Sequence, residues 1–241
     1  MTEPFIEDDM TRAKRGISWV RLEEALRGTG CPVCSQIERT EQHYLEGLLY
    51  EYVLDVGVRK KLHRQHGFCT RHAKLALMAE VKLGSDGLHL ATMFETVLEE
   101  NIALLGQQVK LIEEIAAETN KRKKKKTVRS VDAGKCFVCD FVKNAEEITL
   151  HSLLYLSDDD ELIAEYKDSK TLICFRHVQM LAKEKASPRL LHATIEKVKK
   201  MKNDVSNFIM KHDYQGAHDY TRYELDSYLD AVNLFSGQMR W

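Results

Sequence analysis

Proline is nearly absent from this sequence, at three residues in 241, and glycine is scarce at twelve. These two residues supply the turns of sheets and long loops. Their scarcity, beside abundant Leu, Glu, Lys and Ala, argues against a loop-rich or all-β chain and predicts an all-α fold. Charge of one sign is also missing. A formal net charge of −1 excludes a uniformly basic surface, so any attraction to nucleic acid has to come from a local patch. No apolar run nears the roughly 20 residues that a membrane span needs. The opening stretch "MTEPFIEDDMTRAKRG" mixes acids and bases and lacks the apolar centre of a secretory signal. These absences predict a cytoplasmic, reducing location with no membrane span. Six cysteines there are metal ligands or redox thiols sooner than a disulfide framework. The length and the 44% apolar content suffice for one large or two small domains with a buried core.

What is present is a duplicated ligand pattern. Cys31, Cys34, Cys69 and His72 form one CxxC…CxxH set, and Cys136, Cys139, Cys174 and His177 form a second. In both, 34 residues separate CxxC from CxxH, and every ligand of the second set follows its counterpart by 105 positions. No cysteine is left over. The neighbourhood repeats as well: "LLY" at 48–50 returns at 153–155, and Arg71 before His72 returns as Arg176 before His177. Beyond the histidines the offset becomes 102, aligning "GLHLAT" at 87–92 with "RLLHAT" at 189–194, as a three-residue deletion would produce. The chain therefore reads as an internally duplicated helical protein. Residues 1–16 form an N-terminal tail, 17–118 a first metal-binding repeat and 119–134 a basic linker. Residues 135–212 form a second repeat and 213–241 a C-terminal capping helix, with one core shared by the repeats.

Helical periodicity places the ligands. A first helix is expected from about Ser18 to Arg27, ahead of Gly28. The first CxxC opens a helix running towards Asp55, with Ile37, Tyr44, Leu45, Leu48, Leu49 and Tyr52 at helical spacing. CxxH in "GFCTRHAKLALMAE" starts another. Ligands at i and i+3 near helix starts share a face and can converge on one ion, and a helix N-terminus favours the thiolate that a metal binds. Each motif is followed by a long helix with a near-heptad stripe. The first carries Ala91, Leu98, Leu105 and Ile112 with Phe94, Ile102 and Val109. The second carries Leu191, Val198 and Val205 with Met201 and Phe208, behind a Ser187 and Pro188 start. Antiparallel packing of these stripes within the chain is favoured over a coiled-coil dimer seam, because coiled coils usually sustain more heptads. A last helix begins at the capping box "TRYE", residues 221–224, and is expected to bury Leu225, Leu229, Val232 and Phe235.

Three thiolates and one imidazole, in two close pairs, suit a tetrahedral zinc with no open position, giving two Zn per chain. Each such centre carries a charge of −1, which Arg71 and Arg176 are placed to soften. An iron-sulfur cluster is the alternative, although ferredoxin cysteines are more tightly clustered. A thioredoxin-like redox use of CxxC lacks its βαβ setting and leaves CxxH unexplained. Exchange of His72 or His177 for water or a thiol would convert a staple into a sensor or Lewis-acid site.

The one strong shift in composition is "TNKRKKKKTVRSVDAG" at 119–134. Lys121, Arg122, Lys123, Lys124, Lys125 and Lys126 form an anion-binding candidate for nucleic acid, lipid or an acidic protein. The plainer reading, a solvated connector, is preferred because no aromatic residues are interleaved for base stacking. "DDDE" at 158–161 is an acidic helix start. His63 and His66 have no histidine counterparts at the 105 offset and are expected on a helix surface. His43 and His151 lie near carboxylates, but the paired ExxH motifs of a di-iron bundle are missing. No Gly-rich phosphate loop, GxSxG elbow or HExxH occurs, which lowers the standing of an enzymatic role.

The layout "CPVC", "GFCTRH", long helix, "CFVC", "CFRH", then "KHDYQ" and a final amphipathic helix resembles an uncharacterised bacterial family of unknown function, over residues 18–237. The resemblance implies helical, cysteine-rich, metal-binding proteins and nothing about a substrate. "LIC" at 172–174 stands where the first half has "GFC", so the two loops need not share a geometry. The reading as a whole is a zinc-binding helical module, with a binding or regulatory role towards a protein partner. Its rivals are an iron-sulfur electron-transfer protein and a nucleic-acid binder that uses the basic linker.

Overall fold

The computed structural model describes residues 16–117, 135–213 and 219–237. The described residues form ten helices and no strand. They are α1 (Gly16–Leu26), α2 (Pro32–Tyr50), α3 (Val56–Arg64), α4 (Thr70–Leu83), α5 (Leu88–Ala117), α6 (Phe137–Tyr155), α7 (Asp160–Asp168), α8 (Phe175–Lys183), α9 (Pro188–Asp213) and α10 (Arg222–Ser236). The all-α expectation holds. The basic run, Lys121 to Lys126 included, lies outside the described residues.

Local chemistry sets the helix ends. Pro32 and Pro188 each occupy a first helical position, where the missing N–H has no intrahelical partner to lose. Asp55 and Asp159 cap α3 and α7 by accepting from backbone N–H groups of the first turn. Gly84 ends α4 in the left-handed region at φ 67°, where a side chain would be strained. The capping box expected at Thr221 and Glu224 forms in both directions.

The chain divides into two compact units, and their boundaries cross the sequence repeats. One unit, here called terminal, comprises Met1–Arg39 and Asn144–Trp241; the other, central, comprises Thr40–Lys143. The central unit buries Leu45, Leu48 and Leu49 of α2, Leu62 of α3, Ala76 of α4, Met93 and Val97 of α5, and Val138 of α6. The terminal unit buries Trp19, Leu22 and Leu26 of α1, Val33 of α2, Leu153 of α6, Leu162 and Tyr166 of α7, Leu181 of α8 and Leu190 of α9. Several buried residues obey the 105 offset, among them Val33 and Val138, Leu48 and Leu153, Ala76 and Leu181. The buried Tyr166 hydroxyl is satisfied by Thr194 Oγ1 at 3.1 Å and by the Ile173 N–H at 3.2 Å.

Two expected apolar faces are not buried. In α10, Leu225, Leu229, Val232 and Phe235 are exposed, while Glu224, Ser227 and Leu234 are buried. The reason is polar: Lys211 of α9 donates to Glu224 Oε2 at 2.7 Å, which turns the Glu224 side inwards. The heptad stripe of α5 is likewise exposed from Leu98 to Ile112, because α5 meets its unit's core through Met93 and Val97. Packing of that stripe within the chain is therefore not what the structure has.

Candidate metal centre

Two groups of four ligands come together, built from all eight of the expected cysteines and histidines. Site 1 gathers Cys31, Cys34, Cys174 and His177; site 2 gathers Cys69, His72, Cys136 and Cys139. The ligand atoms of each group lie within 4.8 Å of one another. Grouping by sequence order is thus corrected. The CxxC of each repeat closes with the CxxH of the other, and each site falls inside one compact unit.

The local elements explain the placement. Cys31 precedes α2 and Cys34 lies in its first turn, while Cys136 and Cys139 stand in the same way at α6. Cys69 and Cys174 occupy the positions that cap α4 and α8, with His72 and His177 in the first turn. In site 1 the two loops are tied by an isolated bridge between Gly30 and Thr171, with the Leu172 N–H donating to Gly30 O at 2.9 Å. Site 2 uses different loop chemistry. There the Gln65 side chain accepts from the Phe137 N–H at 2.8 Å. Gly67 adopts φ +112°, and a Cβ would meet Phe94 at 3.1 Å. The departure of "LIC" from "GFC" corresponds to this difference.

Distances within each site scatter around the edges of one tetrahedron. Four bonds of about 2.3 Å to sulfur and about 2.0 Å to nitrogen place neighbouring ligand atoms about 3.5–3.8 Å apart. In site 1, His177 Nδ1 lies 3.1, 3.4 and 3.6 Å from the sulfurs of Cys174, Cys31 and Cys34, and Cys34 lies 3.9 Å from Cys174. In site 2, His72 Nδ1 lies 3.1, 3.4 and 3.5 Å from Cys69, Cys139 and Cys136, and Cys69 lies 3.8 Å from Cys139. The residues therefore fit a single four-coordinate ion in each site.

Behind each histidine stands a carboxylate that lies outside the CxxC and CxxH motifs. His72 Nε2 is 2.7 Å from Glu41 Oε1, and His177 Nε2 is 2.9 Å from Glu146 Oε1. With Nδ1 aimed at the sulfurs, Nε2 carries the proton and donates it, an arrangement that fixes the tautomer and the ring. Glu41 and Glu146 are both buried and are themselves 105 positions apart, a signal the sequence did contain. Arg71 and Arg176, expected to soften the thiolate charge, bind these carboxylates. Arg71 donates from Nε and Nη2 at 3.1 and 2.7 Å to the two oxygens of Glu41. Arg176 Nη2 lies 2.8 and 2.9 Å from the two oxygens of Glu146. Helices α2 and α6 each serve both sites. α2 starts at Cys31 and Cys34 of site 1 and carries Glu41, which holds His72 of site 2; α6 does the reverse.

The sites differ in cover. Cys31 and Cys174 are buried and Cys34 is half-buried, with the start of the chain beyond α10 beside it: a Cβ on Gly237 would stand 3.6 Å from Cys34 Sγ. In site 2, Cys136 is buried, Cys69 half-buried and Cys139 exposed. Tyr44 stacks on Phe141 at 3.7 Å between ring centroids in the same unit.

In each site one cysteine is shifted towards the thiolate and another away from it. Hydrogen bonds from Cys31 and Cys34 hold Cys174 well below the usual thiol range despite burial. Cys69 is lowered too: burial opposes this, but the His72 backbone N–H and the Cys139 and Cys136 thiols outweigh it. Their neighbours move up. Burial, with Cys174 and Cys34, raises Cys31; burial, with Cys69, pushes Cys139 up to about 12. For His177, burial acts to lower the value, but contacts with Cys174, Cys34 and Glu146 prevail and raise it to about 10. A metal binding these groups as thiolates and neutral imidazole displaces their protons, so apparent affinity rises with pH and falls on acidification. Chelator competition from about pH 6 to about pH 8 should show this rise, with proton release in weak buffer; a flat profile would contradict it.

Of the other histidines, His63 is half-buried, with Glu100 Oε1 and Thr96 Oγ1 each at 2.8 Å, and His66 lies past the end of α3 at φ +54°. His63 is thus a partly exposed helix residue, whereas His66 is not on a helix as expected. His43 and His151 are exposed on their helices. No helix among the described residues is long and apolar enough to cross a membrane.

The chain belongs to a family of unknown function (DUF6062), which it matches over residues 13–240. No curated protein and no solved structure shows significant similarity to it.

Proposed function

We propose that this member of a family with no assigned activity is a zinc protein whose two Cys₃His centres are closed structural staples. In this reading they hold together a helical module that binds or regulates a protein partner in the reducing cytoplasm. The observation that carries the reading is the tetrahedral spacing of three sulfurs and one Nδ1 in each site, with the outer nitrogen of the histidine held by a buried carboxylate. Four protein ligands leave no position for substrate or water, which is the pattern of structural rather than catalytic zinc. When bound, zinc supplies cross-linking of helix starts that are far apart in sequence. The chain's own residues supply the thiolates, the tautomer and the compensating charge. Duplication of an ancestral CxxC–CxxH unit accounts for the paired carboxylates as well as the ligands.

The iron-sulfur alternative fits less well. In a cluster the four protein ligands are divided between two or more irons bridged by sulfide, so ligands on different irons stand further apart than the edges of one tetrahedron. Elemental analysis with a visible spectrum, on untagged protein purified without oxygen, separates the two. Two zinc per chain and a colourless solution are expected; iron with sulfide and a brown chromophore that bleaches on reduction would replace this reading with electron transfer.

A further inference from the structure

We propose that α5 is a dimerisation helix, through which two copies of this chain pair as a parallel two-stranded coiled coil along Leu98, Ile102, Leu105, Val109 and Ile112. These five side chains are 52–68% exposed. Single exposed leucines are ordinary on a protein surface, whereas a continuous apolar seam marks an interaction site. The spacing runs four, three, four, three, which is the 3.5-residue repeat that keeps one stripe facing a partner helix. The seam is left over after folding, since α5 uses Met93 and Val97 to meet the core of its own unit.

Three features select a second copy as the occupant. First, β-branched Ile102 and Val109 alternate with Leu98 and Leu105, and that alternation favours two parallel strands; Ile112 is the departure from it. Second, the flanks are matched for a parallel pair. One side of the seam carries Glu99, Gly106 and Glu113, the other Asn101 and Gln108. Parallel pairing sets Gln108 beside Glu113 of the second copy, with no like charges opposed. Antiparallel pairing would set Glu99 against Glu113, and like charges across a seam reject that arrangement. Third, the exposed fractions correspond to roughly 1,000 Å² buried over two copies, the lower bound for a specific interface, which predicts association that depends on concentration. Because α5 is already helical in the folded chain, pairing does not bear the cost of helix nucleation, and fewer heptads suffice than in a free-standing coiled coil.

Sedimentation of the full chain as purified tests this. The weight-average mass should climb from 27.8 kDa towards twice that value over the micromolar range. Leu105→Glu should raise the dissociation constant by roughly tenfold or more, as loss of a central apolar anchor does, with metal content and helicity unchanged. Leu77→Glu, at an exposed position of α4 outside the seam, should leave association as it was. A photo-crosslinking residue in place of Ile112 should link to the region around position 112 of the second copy. Crosslinks to residues 95–98, a monomer even at high micromolar concentration, or a dimer indifferent to Leu105→Glu would each overturn the proposal. None of these readouts depends on which metal is bound.

Discussion

A chain carrying both Cys31→Ser and Cys174→Ser will lose one metal, whereas a chain carrying both Cys31→Ser and Cys69→Ser will lose two. The first pair of substitutions falls within a single site and the second is divided between two. If the sites closed in sequence order, the outcomes would be reversed, so metal per chain is a direct reading of connectivity. Removing one thiolate from a closed four-ligand centre leaves three ligands and an open position, and the folding free energy that the ion supplied goes with it. Structural zinc in small modules supplies about 10–16 kcal/mol of apparent binding free energy, so loss of a site is a large perturbation. The damage should also be local. With Cys31 and Cys174 replaced, hydrogen exchange is expected to quicken around α1, α7 and α8 of the terminal unit, while α3 and α4 of the central unit keep their protection. Elemental analysis of the two double variants, purified without oxygen, decides the matter. One metal in the Cys31 and Cys69 variant would restore closure within each repeat.

The eight cysteines and histidines that gather into the two groups were legible because coincidence is a poor explanation for four matched offsets of 105. Their grouping was not, because exchanging the two CxxC motifs gives two sets of identical chemistry. The lengths of the helices held the answer. α2 and α6 have nineteen residues each, about 28 Å, and α3 and α7 have nine each, about 14 Å. A returning helix half as long as the outgoing one brings CxxH back only part of the way. His72 arrives beside Glu41 rather than Cys31, and His177 beside Glu146 rather than Cys136. The carboxylates Glu41 and Glu146 were legible in the same way: they lie ten residues after Cys31 and Cys136 and are 105 positions apart. Periodicity failed for a different reason in α10. It located an apolar stripe correctly but could not tell that a buried Glu224 paired with the half-buried Lys211 would turn the other face inwards.

Glu41→Gln should weaken metal binding at site 2 by roughly 10- to 100-fold, the range seen when the partner of a metal-bound histidine is removed, and leave site 1 unchanged. Glu41 lies closer in sequence to Cys31 and Cys34 than to any ligand of site 2, so the direction of the effect is not what proximity along the chain suggests. The physical basis is charge. A divalent ion with three thiolates is a monoanion, and a carboxylate behind the histidine raises the basicity of the imidazole as a ligand. Glutamine retains an acceptor for His72 Nε2–H but removes that charge. Burying the carboxylate is tolerable because Arg71 meets both of its oxygens and His72 meets one. Replacing it also removes the ion pair between Arg71 and Glu41. Glu146→Gln should act in the same way on site 1 through His177. Measuring each substitution by chelator competition in a background that keeps a single site isolates the effect. Cys174→Ser leaves site 2 for Glu41→Gln, and Cys139→Ser leaves site 1 for Glu146→Gln. If Glu41→Gln weakened the site of Cys31 and Cys34 instead, or changed neither, the carboxylate would be a packing residue, and the histidine tautomer would have to be fixed by other means.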